Sequence, residues 1–530
     1  MFEIKASDLA SRIGEIRTKS GTLETPCILP VVHPVRQSIA PKEMAKMGFN
    51  ALMTNAYITL KAFGKMAEEK GIHKIIDYDG IIMTDSGGYQ VLEYGSIDIT
   101  PVDMAIFQEK IGSDMALVLD TPTGIGVDKK RAKETVKITL RAAEETLKVI
   151  KAEGTLWVGP IQGGSYLDLL KKSAMLTSKM KFDLFALGSP TEIMESYNFN
   201  LLAKMIIIVK QALPMDKPLH LFGAGHPLTI PLAIALGCDL FDSASYMLYA
   251  REGRYMIEYG TARLDELTYL PCNCSICSKY TLKEIKELKS EERTNNIAIH
   301  NLNVLSKEVK ATKQAIEDGR VWEYLSIKAR AHPKLWEAFK FLIGHCEFLE
   351  DGTPLIKPRA LFFYEHYDLM RPEALRHHKR LIEDISIASE KKTLLILPES
   401  DVKPFYKSPF YIKLVDALGD ALKETQICFL ALPFGLIPVE LSDVYPLSQY
   451  VSSIELDRYV IKETLKHLRE FVSKHSFEKI ILLNRLDAYS PLFKRIAKVI
   501  ENCHLIDALG GASFDKTVEE ILMNIAKVKG

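Results

Sequence analysis

Between residues 51 and 241, short apolar runs alternate with helical stretches, and run after run stops at a polar residue or a glycine. The runs at 51–55, 80–84, 115–120, 156–161, 184–187, 218–222 and 238–241 read as strands. Stretches such as 60–70, 101–111 and 129–152 carry apolar residues at helical spacing between them. Parallel neighbours need a helical crossover, so sustained strand–helix alternation means a parallel sheet. Seven such strands can be counted, and an eighth is expected beyond Tyr255. That number favours a closed (β/α)8 TIM barrel over an open doubly wound sheet. Residues 1–32, which alternate apolar and polar around glycines, read as hairpins forming a lid or plug ahead of it.

The residues that end the strands are Asn55, Asp85, Asp120, Gln162-Gly163-Gly164, Gly188-Ser189, Gly223-Ala224-Gly225-His226 and Asp242. Each alone reads as a cap or turn residue. Together at one end of a barrel they face the surface where active sites lie. Two of them share a shape: a buried strand runs into Asp85-Ser86-Gly87-Gly88-Tyr89-Gln90, and another into Asp242-Ser243-Ala244-Ser245-Tyr246. The pair suggests two carboxylates with different tasks, the first beside glycines that let a ligand approach the backbone. No GxGxxG or P-loop follows the first strand, which argues against a dinucleotide or NTP site.

Cys272, Cys274 and Cys277 form C-x-C-x2-C, and His300 follows in a charged helical stretch. Three thiolates and an imidazole close a tetrahedral zinc site with no open position, hence a structural one. Eight cysteines in 530 residues, three of them clustered, argue for a reducing compartment rather than a disulfide scaffold. With no apolar leader and no long uncharged apolar run, the expectation is a cytoplasmic protein without a membrane span.

Beyond the barrel, residues 320–380 interleave basic and aromatic side chains, including Lys328, Arg330, Trp336, Arg371, His377 and His378. Such a mixture can track a phosphate backbone and stack bases, or simply form a solvated helical face. From about 390, strands at 393–397, 427–432, 479–483 and 504–506 separated by helices read as a smaller three-layer α/β domain. The expected organisation is a catalytic domain over 1–350 with its zinc site at 272–300, a basic and aromatic connector over 351–389, and an α/β domain over 390–530.

With these motifs together, residues 1–350 resemble the tRNA-guanine transglycosylases. The stretch His220-Leu221-Phe222-Gly223-Ala224-Gly225-His226-Pro227 and the long extension resemble their archaeal branch. That resemblance implies exchange of guanine at position 15 of tRNA for 7-cyano-7-deazaguanine, the precursor of archaeosine. It implies Asp242 as the nucleophile and Asp85 as the acid and base. Ser86, Tyr89, Asp120, Gln162 and Gly188 would hold the base, and Cys272, Cys274, Cys277 and His300 one structural zinc ion. A homodimer is the expected assembly.

Archaeal relatives commonly end in a PUA domain that grips tRNA, and no small β-barrel is readable here. A separate PUA-domain protein is therefore an expected partner. This suits a formal net charge of zero, with 68 basic and 68 acidic residues. Residues 390–530 resemble instead a domain of archaeosine synthase. Of its signature P-C-x3-K-P-Y-x2-S-x2-H this chain keeps the frame as Pro398, Lys403, Pro404 and Ser408, with Glu399, Phe405 and Tyr411 in place of Cys, Tyr and His. The alternatives are a synthase-like enzyme acting on the inserted base and a non-catalytic tRNA-binding subunit. The altered frame weighs against the first, the intact Asp85–Asp242 pair against the second.

Overall fold

The computed structural model describes residues 2–88, 98–151, 154–509 and 513–526. The chain forms two compact units, Met1–Gly352 and Thr353–Gly530.

The first unit opens with an antiparallel sheet of β1 (Phe2–Asp8), β2 (Ser11–Thr18) and β3 (Gly21–Thr25). Eight parallel strands follow: β4 (Cys27–Pro30), β5 (Ala51–Asn55), β6 (Ile81–Asp85), β7 (Met115–Leu117), β8 (Leu156–Ile161), β9 (Leu184–Leu187), β10 (Leu219–Leu221) and β11 (Leu240–Ser243). They are ordered β4-β11-β10-β9-β8-β7-β6-β5. A parallel bridge between Val31 and Met53 brings the two ends together, giving a (β/α)8 barrel. Helices between the strands bury one face each. In Lys129–Leu147, Ala132, Val136, Ala142 and Ala143 face inward, and the Asp128 carboxylate caps the start by accepting from the Arg131 N–H at 2.7 Å.

The eighth strand is not where the pattern suggested. β4 lies ahead of the other seven and pairs in register with β11, Cys27 opposite Leu240 and Pro30 opposite Ser243. The stretch at Tyr255 forms instead an antiparallel hairpin, β12 (Arg254–Ile257) with β13 (Gly260–Arg263). A strand of four residues ended by a proline carries almost no periodicity of its own, and only barrel closure identifies it.

The N-terminal sheet plugs one end. Ile16 and Leu23 belong to the same buried cluster as Ala51, Ile81, Met115 and Leu240, the residues that open four barrel strands. Arg12 of β2 fixes it through a buried fork, Nε and Nη2 each donating to an Asp239 oxygen at 2.8 Å. The other end of the barrel, where the strands finish, remains for the site.

The second unit holds β14 (Leu361–Phe363), β15 (Thr393–Pro398), β16 (Thr425–Ala431), β17 (Gly435–Pro438), β18 (Tyr450–Ser452), β19 (Lys479–Asn484) and β20 (Cys503–Asp507). Five of these form a sheet ordered β17-β16-β15-β19-β20, parallel except for β17. Leu395, Leu397, Ile481 and Leu483 enter one buried cluster, and Leu394, Ile396, Ile480 and Leu482 the other. That alternation places apolar layers on both faces, the three-layer α/β architecture. The stretch expected as a connector carries β14, paired with β18, and the helix Pro372–Glu383. Leu361, Ala374 and Leu381 join this unit's buried clusters.

Candidate active site and metal centre

The barrel strands finish around a cavity of about 920 Å³ whose lining includes Asn55, Asp85, Asp120, Gln162, Gly188, Gly223 and Asp242. Parallel register brings them level: Asn55 at the end of β5 lies opposite Asp85 at the end of β6, and its amide donates to Asp85 Oδ2 at 3.0 Å. Burial pushes the Asp85 carboxyl up to about 7, helped by the charges of Asp120 and then Asp242, and opposed by the Gly87 N–H and by Asn55. Asp120 is likewise pushed up to about 6 by burial, against the hydrogen bond from Gln162.

Gln162 is locked in one orientation. Its Oε1 accepts from the Thr123 N–H at 3.1 Å and the Ser189 hydroxyl at 2.9 Å, so its Nε2 turns to Asp120 Oδ2 at 2.6 Å. Gly188 lies against this amide, and a Cβ there would collide with Gln162 Nε2. Ser189 holds its place with a left-handed backbone, φ 60°.

Asp242 is anchored differently. Its Oδ1 accepts from His220 Nε2 at 2.9 Å and from the Gly223 N–H at 3.0 Å. Gly223 has φ +68°, and a Cβ there would crowd the Thr191 hydroxyl, 2.7 Å away. Two donors on one oxygen fix the carboxylate and leave Oδ2 without a hydrogen bond among the described residues. The helix after β11 is clipped to the barrel by the Tyr246 hydroxyl, which donates to the Val31 carbonyl at 3.0 Å.

Thus Asp85, Asp120, Gln162, Gly188 and Asp242 come together. Ser86 does not join them: it is fully buried, donates to the Val118 carbonyl at 3.2 Å and lies outside the cavity lining. Successive residues of a strand point to opposite faces, so an inward Asp85 turns Ser86 outward. Tyr89 lies outside the described residues. His220 carries no functional signal in the motif beyond being a lone polar residue inside the apolar strand β10. The basic Arg36, Arg251 and Arg254 also line the cavity. Part of the basic and aromatic run at 320–380 is buried, while Arg330, Lys334, Lys340, Lys379 and Arg380 stay exposed. Lys328 is buried on Glu308 at 2.7 Å, Arg371 is buried on Glu373 at 2.8 Å, and His377 and His378 are buried on main-chain carbonyls.

Beside the hairpin strand β12, on whose Met256 carbonyl His300 rests, one ligand atom from each of Cys272, Cys274, Cys277 and His300 lies within 4.8 Å of the others. His300 Nδ1 is 3.5 Å from Cys274 Sγ and 3.4 Å from Cys277 Sγ, while Nε2 donates to the Met256 carbonyl at 2.8 Å. The second nitrogen is thereby engaged and the first aimed at the sulfurs, the orientation a metal-bound imidazole takes. Tyr255 stacks on the ring with centroids 3.6 Å apart. The donor set fits a metal ion of the zinc type with all four positions filled by protein. It is tied to the barrel by Asn301 of the helix Ser290–Glu317, which donates to the Tyr246 carbonyl at 3.1 Å and accepts from the Met256 N–H at 2.9 Å. No helix among the described residues is long and apolar enough to cross a membrane.

Two carboxyls line one cavity at the mouth of a parallel barrel, one pushed up to about 7 and one anchored by two donors, a pairing compatible with acid–base and nucleophilic chemistry. Comparison with known proteins makes this specific. A family model described as queuine tRNA-ribosyltransferase matches residues 8–334, and the chain belongs to that family, a family of pentosyltransferases. A second model, described as a domain of unknown function, matches residues 375–524. A protein of Saccharolobus solfataricus named tRNA-guanine(15) transglycosylase is 42% identical over 496 residues, covering 91% of this chain and 97% of its own. Relatives of the same name from Aeropyrum pernix and Methanocaldococcus jannaschii are 45% and 37% identical, covering 85% and 93% of this chain and 87% and 76% of theirs.

Proposed function

We propose that this chain exchanges guanine at position 15 in the D-loop of tRNA for 7-cyano-7-deazaguanine, the first step of archaeosine formation on the tRNA. The observation that carries the reading is the pairing, in one cavity, of Asp242, fixed by His220 and the Gly223 N–H, with Asp85, pushed up to about 7. The target nucleotide leaves the stack to reach the cavity. Asp242 attacks C1′ of its ribose, the C1′–N9 bond breaks, and the departing guanine takes a proton at N9 from Asp85. An ester between Asp242 and the ribose results. The incoming base then gives its N9 proton to Asp85 and attacks C1′, which releases the Asp242 carboxylate. Two displacements return the original configuration.

Asp120 and the Gln162 amide read the Watson–Crick edge and exocyclic amine of the base, the main chain at Gly188 its carbonyl side, and Tyr89 stacks on the ring. Cys272, Cys274, Cys277 and His300 hold one zinc ion, whose task is structural. A homodimer working in the cytoplasm with a separate PUA-domain protein completes the reading, and a net charge of zero supports sharing the RNA grip with another chain.

The test is incorporation of radiolabelled guanine into unmodified tRNA, with and without an added PUA-domain protein, beside a denaturing gel for an RNA–protein adduct. Label at position 15 and an adduct that Asp242→Ala abolishes are expected. Normal turnover by Asp242→Ala would remove Asp242 from the role of nucleophile.

A further inference from the structure

The second unit has a cavity of its own, about 870 Å³, to which the barrel chemistry assigns no task. Its position follows from the strand order. β15 is the central strand; the chain passes from it to β16 on one side, then returns across to β19 on the other. In open parallel sheets, ligands bind outside the carboxyl ends of the strands where the order reverses. The cavity lies there: it is lined by Pro398 at the end of β15, by Glu399 and Lys403 after it, and by Arg485 and Tyr489 after β19.

Three chemistries meet in its walls. Glu399 accepts from the Tyr450 hydroxyl at 2.9 Å and from the Tyr489 hydroxyl. Burial raises this carboxyl above its ordinary range, and the two phenols and the nearby Lys403 charge oppose the rise. Each carboxylate oxygen can accept more than one hydrogen bond, so Glu399 retains capacity for a donor-bearing ligand. Phe410, Phe429, Tyr450 and Tyr489 supply aromatic walls. Arg485 lies over the Phe410 ring, 3.5 Å from its centroid, and makes no hydrogen bond or ion pair with any described residue. A guanidinium stacked and unpaired at a cavity is suited to an anionic oxygen, above all a phosphate.

Among nucleobases, guanine presents two adjacent donors, N1–H and N2–H2, on one edge, which a carboxylate can accept together. We propose that this cavity binds a guanine nucleotide, with the base edge on Glu399, the ring against the aromatic walls and the phosphate on Arg485. The nucleotide is either free or a residue of an RNA chain; the two sources share this chemistry.

Calorimetric titration of the full chain with GMP tests the proposal, with guanosine and AMP for comparison. The barrel is itself proposed to take guanine, so the readout is the change made by Glu399→Gln and Arg485→Ala. Each is expected to weaken one GMP binding event at least about tenfold while guanine exchange at saturating tRNA stays at its wild-type rate. Guanosine should be insensitive to Arg485→Ala, and AMP insensitive to Glu399→Gln. Titration with unmodified tRNA separates the sources: a loss of tRNA affinity in Arg485→Ala assigns the site to a nucleotide of the RNA, and an unchanged one to a free nucleotide. GMP isotherms that are the same in wild type and both variants would overturn the proposal. Arg485 is exposed, so its variant tests the site without disturbing the core. Absence of guanine exchange by the wild type would count against the barrel reading alone.

Discussion

His220 and Asp242 face each other at 2.9 Å, Nε2 to Oδ1, with the imidazole fully buried inside β10 and the carboxylate at the end of β11. His220 Nδ1 is a buried atom without a hydrogen-bond partner among the described residues. Neighbouring parallel strands put the two side chains together: His220 lies opposite Leu240, two residues before Asp242. The imidazole therefore acts on the proposed nucleophile as a positioning group, fixing one oxygen with the Gly223 N–H and leaving the other for attack.

His220→Ala should lower kcat for guanine exchange by about 10- to 100-fold, the value of one hydrogen bond to a charged group, and leave KM for tRNA close to wild type. His220→Gln, which offers an amide donor from nearly the same place, should recover part of the loss. Steady-state kinetics with both variants checks this. A rise in KM with unchanged kcat would assign His220 to substrate binding instead.

In the proposed reaction Asp85, pushed up to about 7, is the group that supplies the proton in the first half-reaction. Release of guanine in a single turnover should therefore fall as pH rises above about 7. The Asp120 charge helps hold the Asp85 carboxyl up, so Asp120→Asn should move that limb to lower pH. The rate–pH profiles of the two proteins decide it: coincident alkaline limbs would separate Asp120 from the titration.

The same group governs stability with a definite sign. A carboxyl raised from its ordinary value of 3.8 to about 7 binds its proton more tightly folded than unfolded, so stability is lost as pH rises between those values. Asp85→Asn removes this loss. Melting temperatures should match wild type near pH 4 and exceed it at pH 8, the measurement being thermal denaturation at both. An active-site carboxyl that costs stability where it works is the expected cost of holding an acid in a buried pocket.

Much of this site was legible because barrels project strand ends to one face: the residues that stop the apolar runs, Asn55, Asp85, Asp120, Gln162 and Asp242, line one cavity. What escaped the sequence depends on closure or on burial. β4 is recognisable only from its neighbours β11 and β5. The charges of Lys328 and Arg371 look solvent-facing in the sequence, but both are taken inside, Lys328 by Glu308 of the preceding helix and Arg371 by the neighbouring Glu373 and the Phe362 carbonyl. His220 was hidden for the converse reason: a lone polar residue in an apolar strand has no periodicity to mark it, and its partner comes from the next strand.

Gly188 is required by the amide it touches rather than by its own backbone. A Cβ there would strike Gln162 Nε2 and push it away from Asp120 Oδ2. Gly188→Ala should raise KM for the free base about 10- to 100-fold, as expected when polar groups of a binding site are left mispaired, and should also lower the melting temperature, because buried hydrogen bonds of Gln162 are displaced. Base-concentration dependence of exchange on saturating tRNA is the check, and an unchanged KM would mean the amide yields without cost.

The metal centre should affect folding rather than chemistry. Its ligands come from the segment after β13 and from His300 on the helix Ser290–Glu317, which also carries Asn301 to the helix that follows Asp242. Binding energy in a closed site of this kind is folding energy. Cys274→Ser should lower the zinc content from about one ion per chain towards zero and lower the melting temperature by several degrees. Exchange activity per folded molecule, assayed well below that temperature, should stay within a few-fold of wild type. Metal analysis together with thermal denaturation tests the first part. If the rate collapsed while the fold and melting temperature were kept, the ion would belong to the reaction and not to the scaffold.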